Sequence, residues 1–217
     1  MEICERRNLL VHTDGIVSTQ YLAVYREHNV DVKDIEVGRR LSINTKYYER
    51  AVSVIFELGI KLTKVVWRKL APSEIGVAAD ELNELAYRLI VKRKYIEAIT
   101  FLRFGLSEMK KHGEEATRKR MVANLANAEN FGGNKEEAEK VLSSEDWSAA
   151  ADNFTICVAA IRDDVQTVVH LMKAVVSAGH LSASDFQAWP VFEKVRSEPA
   201  FIENVRAGIW REDCCRS

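Results

Sequence analysis

NELAYRLIVKRKYIEAITFL, residues 83–102, carries the pattern from which the architecture follows. Ala86 and Ala98 stand twelve positions apart around the polar joint KRK, with Tyr95 three before the second alanine and Leu102 four after it. A small side chain lets two helices cross closely, and the flanking apolar residues recur at the three- and four-residue steps of an amphipathic helix. The arrangement returns with Ala126 and Ala138 about the joint Phe131-Gly132-Gly133-Asn134, followed by Leu142. A third, degenerate copy has Ile156 and Val168 in those places about RDDV. The spacing is irregular: 40 residues separate Ala98 from Ala138, and 30 separate Ala138 from Val168. One helix pair cannot bury its own apolar stripe, so neighbouring copies are expected to cover it.

Around this pattern the second half reads as helix pairs with short polar joints: Ala79–Val91 with Tyr95–Lys110, Arg118–Glu129 with Lys135–Leu142, and Trp147–Ile161 with Val165–Ala178. A closing segment of short helices contains Pro190 and Pro199, and no strand is expected. The first half opens with RRNLLVH and the turn TDG, followed by the apolar run IVSTQYLAVY. The polar interval Arg26–Gly38 comes next, and its VDVKDIEV alternation fits a loop or a short extended piece. Asn44 or Thr45 then caps a long helix to residue 69, with Tyr48, Ala51, Val52, Ile55, Leu58, Leu62, Val65 and Val66 at helical spacing. Lys61, Lys64, Arg68 and Lys69 crowd its end, where cations suit the helix dipole. Pro72 breaks the run, dividing residues 1–71 from 72–210, with 211–217 as a frayed tail.

Composition agrees. The 217 residues are 47 % hydrophobic and 29 % charged, which is globular usage. Average usage would give roughly 15 Gly and 11 Pro; the chain has 10 and 3, which favours helix. Lys plus Arg is 31 against 32 Asp plus Glu, so no overall field draws nucleic acid or an acidic membrane. The N-terminus has no signal-peptide core, and no apolar run approaches the roughly 18 residues of a membrane span, so a cytoplasmic chain is expected. Cys4, Cys157, Cys214 and Cys215 lack metal-ligand spacing, and no cofactor loop or nucleophile elbow is present. No metal or cofactor is expected.

Over about residues 80–190 these features resemble the tetratricopeptide repeat, and AWPVFEKVRSEPAFIENV looks like the segment that often closes such arrays. The resemblance implies an all-α, right-handed α-solenoid whose concave face binds a peptide or helix of a protein partner. First-helix residues Asn83, Tyr87, Ile90, Asn124, Asn127 and Asn130 are the candidates for that face.

A second motif lies near the start. Arg7 and His12 are five positions apart, and Asn8 shares a helix face with His12. Were they to meet on a phosphate, His could take a 2′-hydroxyl proton and Arg could stabilise the developing charge, without a metal. RRNLLVHTDGIVSTQYL and GRRLSINTKYYERAVSVIFELGIKL together resemble the HEPN domain family over residues 3–69. In that family an Arg-Asn-x-x-x-His segment precedes the last long helix, and many members are metal-independent, dimeric endoribonucleases, including toxins and defence proteins. Arg7, Asn8 and His12 occupy the motif positions, so the resemblance implies RNA as substrate and a homodimer. Here the motif begins beside Met1, where the family carries earlier helices. The expectation is therefore a truncated HEPN-like segment that leans on the downstream helices or on a second copy. The leading functional expectation is a non-enzymatic interaction scaffold; the alternative is an endoribonuclease using Arg7 and His12 at a dimer interface.

Overall fold

The computed structural model describes residues 2–28, 35–109 and 115–205. Among them every regular element is helical, as expected of an all-α chain. The α-helices are α1 (Glu2–Thr13), α2 (Thr19–Glu27), α3 (Thr45–Leu70), α4 (Ile75–Val91), α5 (Tyr95–Met109) and α6 (Glu115–Phe131). They continue with α7 (Lys135–Leu142), α8 (Asp152–Ile161), α9 (Val165–Ser177), α10 (Ala183–Ala188) and α11 (Pro199–Asn204). Among the described residues β pairing is limited to an isolated antiparallel bridge between Ile16 and Arg40.

The chain divides into two compact units, Met1–Gly59 and Ile60–Ser217. The division falls inside α3 and not at Pro72. The last turns of α3 are drawn to the second unit: Ile60 packs on the core of α4–α6, Lys64 Nζ donates to the Ala78 carbonyl at 3.0 Å, and Arg68 pairs with Glu108.

In the first unit Leu9, Val17, Tyr21, Leu22 and Tyr25 form a small core, with Ile35 and Leu41 against it. Gly15, at φ 81°, makes the turn between α1 and α2, where a Cβ would lie 2.9 Å from the Leu41 carbonyl oxygen. Ser18 caps α2 by accepting from Tyr21 N–H at 3.1 Å. Asn44 caps α3 through Oδ1, which accepts from Tyr47 N–H at 2.7 Å. On the first half of α3, Tyr48, Val52, Ile55 and Leu58 are exposed. The VDVKDIEV stretch lies mostly outside the described residues, and Ile35 and Glu36 have no regular structure.

The second unit repeats one hairpin three times, as α4–α5, α6–α7 and α8–α9. The paired small or apolar residues Ala86 with Ala98, Ala126 with Ala138, and Ile156 with Val168 are all buried. Each joint closes with one backbone geometry. Lys94 N–H donates to Leu89 O, Asn134 N–H to Glu129 O and Asp164 N–H to Ala159 O, each at 2.9 Å. The residue before each donor, Arg93, Gly133 or Asp163, has φ of 59°, 88° or 60°. This is the left-handed helix stop, in which returning N–H groups satisfy the last carbonyls.

One helix starts later than its sequence suggests. Residues 147–151 are not helical, and α8 begins at Asp152. Trp147 folds back instead, its Nε1 donating to Leu142 O at 2.7 Å, while Asp146 Oδ1 accepts from Ser148 N–H at 2.9 Å. The indole bond satisfies the last carbonyl of α7.

Candidate functional site: a groove on the first helices of the hairpins

The equivalent positions of α4, α6 and α8 line one groove of about 310 Å³. Three residues before each buried crossing position stand Asn83, Ala123 and Asn153; two before stand Glu84, Asn124 and Phe154; one after stand Tyr87, Asn127 and Cys157. These offsets lie about 60°, 160° and 100° around a helix from the crossing residue, so they form one flank beside the packing face. The three helices thus present the same flank to a shared space. Trp189, Pro190 and Val191 wall its end.

That wall is held from several directions. Arg196 donates to the carbonyls of Phe186, at 2.8 Å, and Trp189. Phe192 packs on Phe186 with ring centroids 4.7 Å apart and stacks on Trp189 at 6.4 Å. Lys194 Nζ donates to Asn130 Oδ1 at 2.8 Å, and Asn130 Nδ2 donates to Ile161 O at 2.9 Å.

Of the six residues expected on a binding face, Asn83, Tyr87, Asn124 and Asn127 line the groove. Ile90 and Asn130 do not. They stand four positions after the crossing alanine, about 40° from it, and so turn into the hairpin packing. Ile90 is 2 % exposed in the core, and Asn130 is spent on the α8 carbonyl and Lys194. The sequence reading missed Asn153, Phe154 and Cys157, although the register that picks out Asn83, Glu84 and Tyr87 reaches them when carried from Ala86 to Ile156.

The groove's charges are engaged, and two of its four amides bond each other. Arg120 Nη2 donates to Asp80 Oδ1 at 2.8 Å and to Thr117 Oγ1 at 2.9 Å, and Glu84 pairs with Arg88 at 3.0 Å. Burial raises the Tyr87 phenol, with Glu84 adding to it, and pushes the Cys157 thiol up to about 12; both are neutral at pH 7. Asn124 Nδ2 donates to Asn83 Oδ1 at 2.9 Å. Asn127 is only 4 % exposed, yet its side-chain amide has no hydrogen-bond partner among the described residues. Asn153 Oδ1 is likewise buried without a donor.

Arg7, Asn8 and His12 all lie on α1. Arg7 Nη1 donates to Asn8 Oδ1 at 3.1 Å, and Arg7 and His12 are exposed about 140° apart around the axis, so they do not converge. Arg6, on the same helix, is held. Its Nε lies 2.7 Å from Glu2 Oε1, and its guanidinium sits 4.2 Å over the Tyr47 ring. Tyr47 OH donates to Glu2 Oε2 at 3.0 Å, and burial followed by that bond pushes its phenol up to about 12.

Among the described residues no three His, Cys, Asp or Glu side chains gather to hold a metal ion. No described helix is long and apolar enough to cross a membrane. His112, Trp210, Cys214, Cys215 and the tail at 211–217 lie outside the described residues. Comparison of the chain with protein-family models, curated proteins and solved structures finds no match.

Proposed function

We propose that this chain is a non-enzymatic interaction module in which tetratricopeptide-like hairpins hold a stretch of partner polypeptide in the groove of α4, α6 and α8. On this reading the first unit is a HEPN-like remnant. The observation that carries it is Asn127, a nearly fully buried amide that lines the groove with no partner among the described residues. An amide that lines the groove without a bond to the described residues can exchange its solvent contacts for a ligand's hydrogen bonds. Tyr87, Phe154 and Trp189 supply apolar area beside it, the combination of a few placed polar groups on aromatic walls that ligand sites use. The repeated joint geometry supports the hairpin reading, because it makes three copies of one surface available to one extended ligand.

Panning a random peptide library on the full chain, with the Asn127→Leu chain as counter-target, tests the reading. Ligands that bind wild type and are weakened roughly tenfold or more by Asn127→Leu are expected. Failure to select any ligand that separates the two chains would contradict it.

A further inference from the structure

Away from the groove, we infer that the first joint of the array, residues 91–96, docks on the surface of an anionic lipid bilayer. The observation is a contrast among three joints built on one backbone geometry, in which Lys94, Asn134 and Asp164 are the closing donors. Each donor and the two residues before it read Lys92-Arg93-Lys94, Gly132-Gly133-Asn134 and Arg162-Asp163-Asp164. The first tip is wholly cationic, the second is neutral and the third is mainly acidic. Two positions after the donor stand Ile96, Glu136 and Gln166, all exposed. Glu136 and Gln166 are what a solvated helix surface carries. Ile96 is 79 % exposed, and Val91, on the other side of the same tip, is 52 % exposed. Single exposed apolar residues are common on any surface. A pair of them astride a cationic tip, at one of three equivalent joints, marks an interaction site.

The neighbouring contacts leave this tip free. Tyr95 turns in and stacks on Phe131 with ring centroids 5.7 Å apart, so Ile96, about 100° further round α5, faces away from that contact. At the other joints the cations are paired, Lys135 with Asp163 at 3.0 Å and Arg162 with Glu139 at 2.6 Å. At the first joint Arg93 pairs with Glu193 at 2.7 Å, and nearby Arg88 pairs with Glu84 at 3.0 Å. Lys92 and Lys94 are exposed and make no side-chain hydrogen bond or ion pair among the described residues. The whole chain carries 31 Lys plus Arg against 32 Asp plus Glu, so the attraction is local to the tip.

An anionic bilayer uses both halves of this patch at once. Its headgroups meet Lys92 and Lys94, and its acyl boundary takes in Ile96 and Val91. A hairpin tip has no walls with which to enclose a peptide side chain, whereas lipid closes around what is pressed into it. Nucleic acid would answer the lysines but offers aliphatic side chains no stacking partner. Two lysines and two aliphatic residues make a weak contact, so the attachment is reversible.

The test is sedimentation of the full chain with two kinds of vesicle at low salt, one of phosphatidylcholine alone and one of phosphatidylcholine mixed with phosphatidylserine. The expected result is binding to the mixed vesicles only, weakened by added salt. Lys92→Gln and Lys94→Gln should each weaken it roughly fivefold. Ile96→Gln, which installs the residue of the third joint, should weaken it roughly tenfold. No sedimentation with the mixed vesicles, or equal sedimentation with both kinds, would overturn the inference. Binding that both lysine substitutions weaken but Ile96→Gln leaves intact would mark simple charge attraction and overturn it as well. So would a chain that ignores vesicles and binds polyglutamate or RNA through these lysines. None of these outcomes bears on the groove, whose residues are untouched. A circular dichroism melt of each variant confirms that a loss of binding is not a loss of fold.

Discussion

Asn124 donates its side-chain amide to Asn83 Oδ1 at 2.9 Å, tying α6 to α4, while Asn127 one turn further along α6 has no such partner. Two asparagines on one helix flank therefore have opposite consequences for the fold. Asn124→Ala should destabilise the second unit by about 1 kcal/mol, the usual net worth of such a bond, measured as a lower urea midpoint with an unchanged slope. An unchanged midpoint would mean that the bond contributes nothing.

The joints give a backbone prediction. Gly133 occupies at φ 88° the position that Arg93 and Asp163 hold at φ 59° and 60°. Gly133→Ala should lower stability by about 1–2 kcal/mol, the cost of a left-handed L-residue. A Cβ there meets nothing within 4 Å, so the loss would be conformational and not steric. Arg93→Gly keeps the turn but removes the 2.7 Å pair with Glu193, an exposed bridge of small value, and should change stability by less than about 1 kcal/mol. Chemical denaturation distinguishes the two. Equal losses would show that the φ at Gly133 is not what matters.

Much of the second unit is legible in sequence because its signals are local. The alanine pairs, the glycine joint and the apolar steps each act within one hairpin, and Lys135–Leu142 is a helix with the expected bounds. What sequence misses depends on contacts made at a distance. Trp147 reads as helix by pattern, but its indole is captured by Leu142 O. Ile90 reads as a surface residue by proximity to Tyr87, yet its angle around α4 sends it to the core. The end of the first unit is hidden for the same reason: α3 is one continuous helix, and only the packing of Ile60 and the reach of Lys64 show where allegiance changes. At the site, four of six residues follow from repeat register, and Asn153 and Phe154 stay hidden because Ile156 obscures the degenerate third copy.

Alkali should expose the groove thiol. Burial raises Cys157 from an ordinary value of 9.0 to about 12. The unfolded chain loses this proton first, so the contribution to stability is intact below about pH 9 and is lost as pH rises toward 12. In a chain with Cys4, Cys214 and Cys215 changed to serine, iodoacetamide should label Cys157 far more slowly at pH 8 than it labels the urea-unfolded chain, and a groove ligand should slow it further. Labelling of the native chain at the unfolded rate would refute the burial of this thiol.

Arg7 and His12 diverge around α1, and among the described residues no hydrogen bond or ion pair joins either to a second element. General acid–base catalysis needs both groups within reach of one phosphate. The chain incubated with structured RNA in chelator should therefore leave it intact, indistinguishably from His12→Ala and Arg7→Ala. Metal-independent cleavage that both substitutions abolish would establish the ribonuclease alternative.

The claim that Asn127 is kept for a ligand separates function from stability at one side chain. Asn127→Leu removes an amide that makes no bond to the described residues, so the thermal midpoint should hold or rise, while titration calorimetry shows a selected groove peptide binding roughly tenfold or more weakly. A variant that melts lower than wild type and binds that peptide equally well would contradict it.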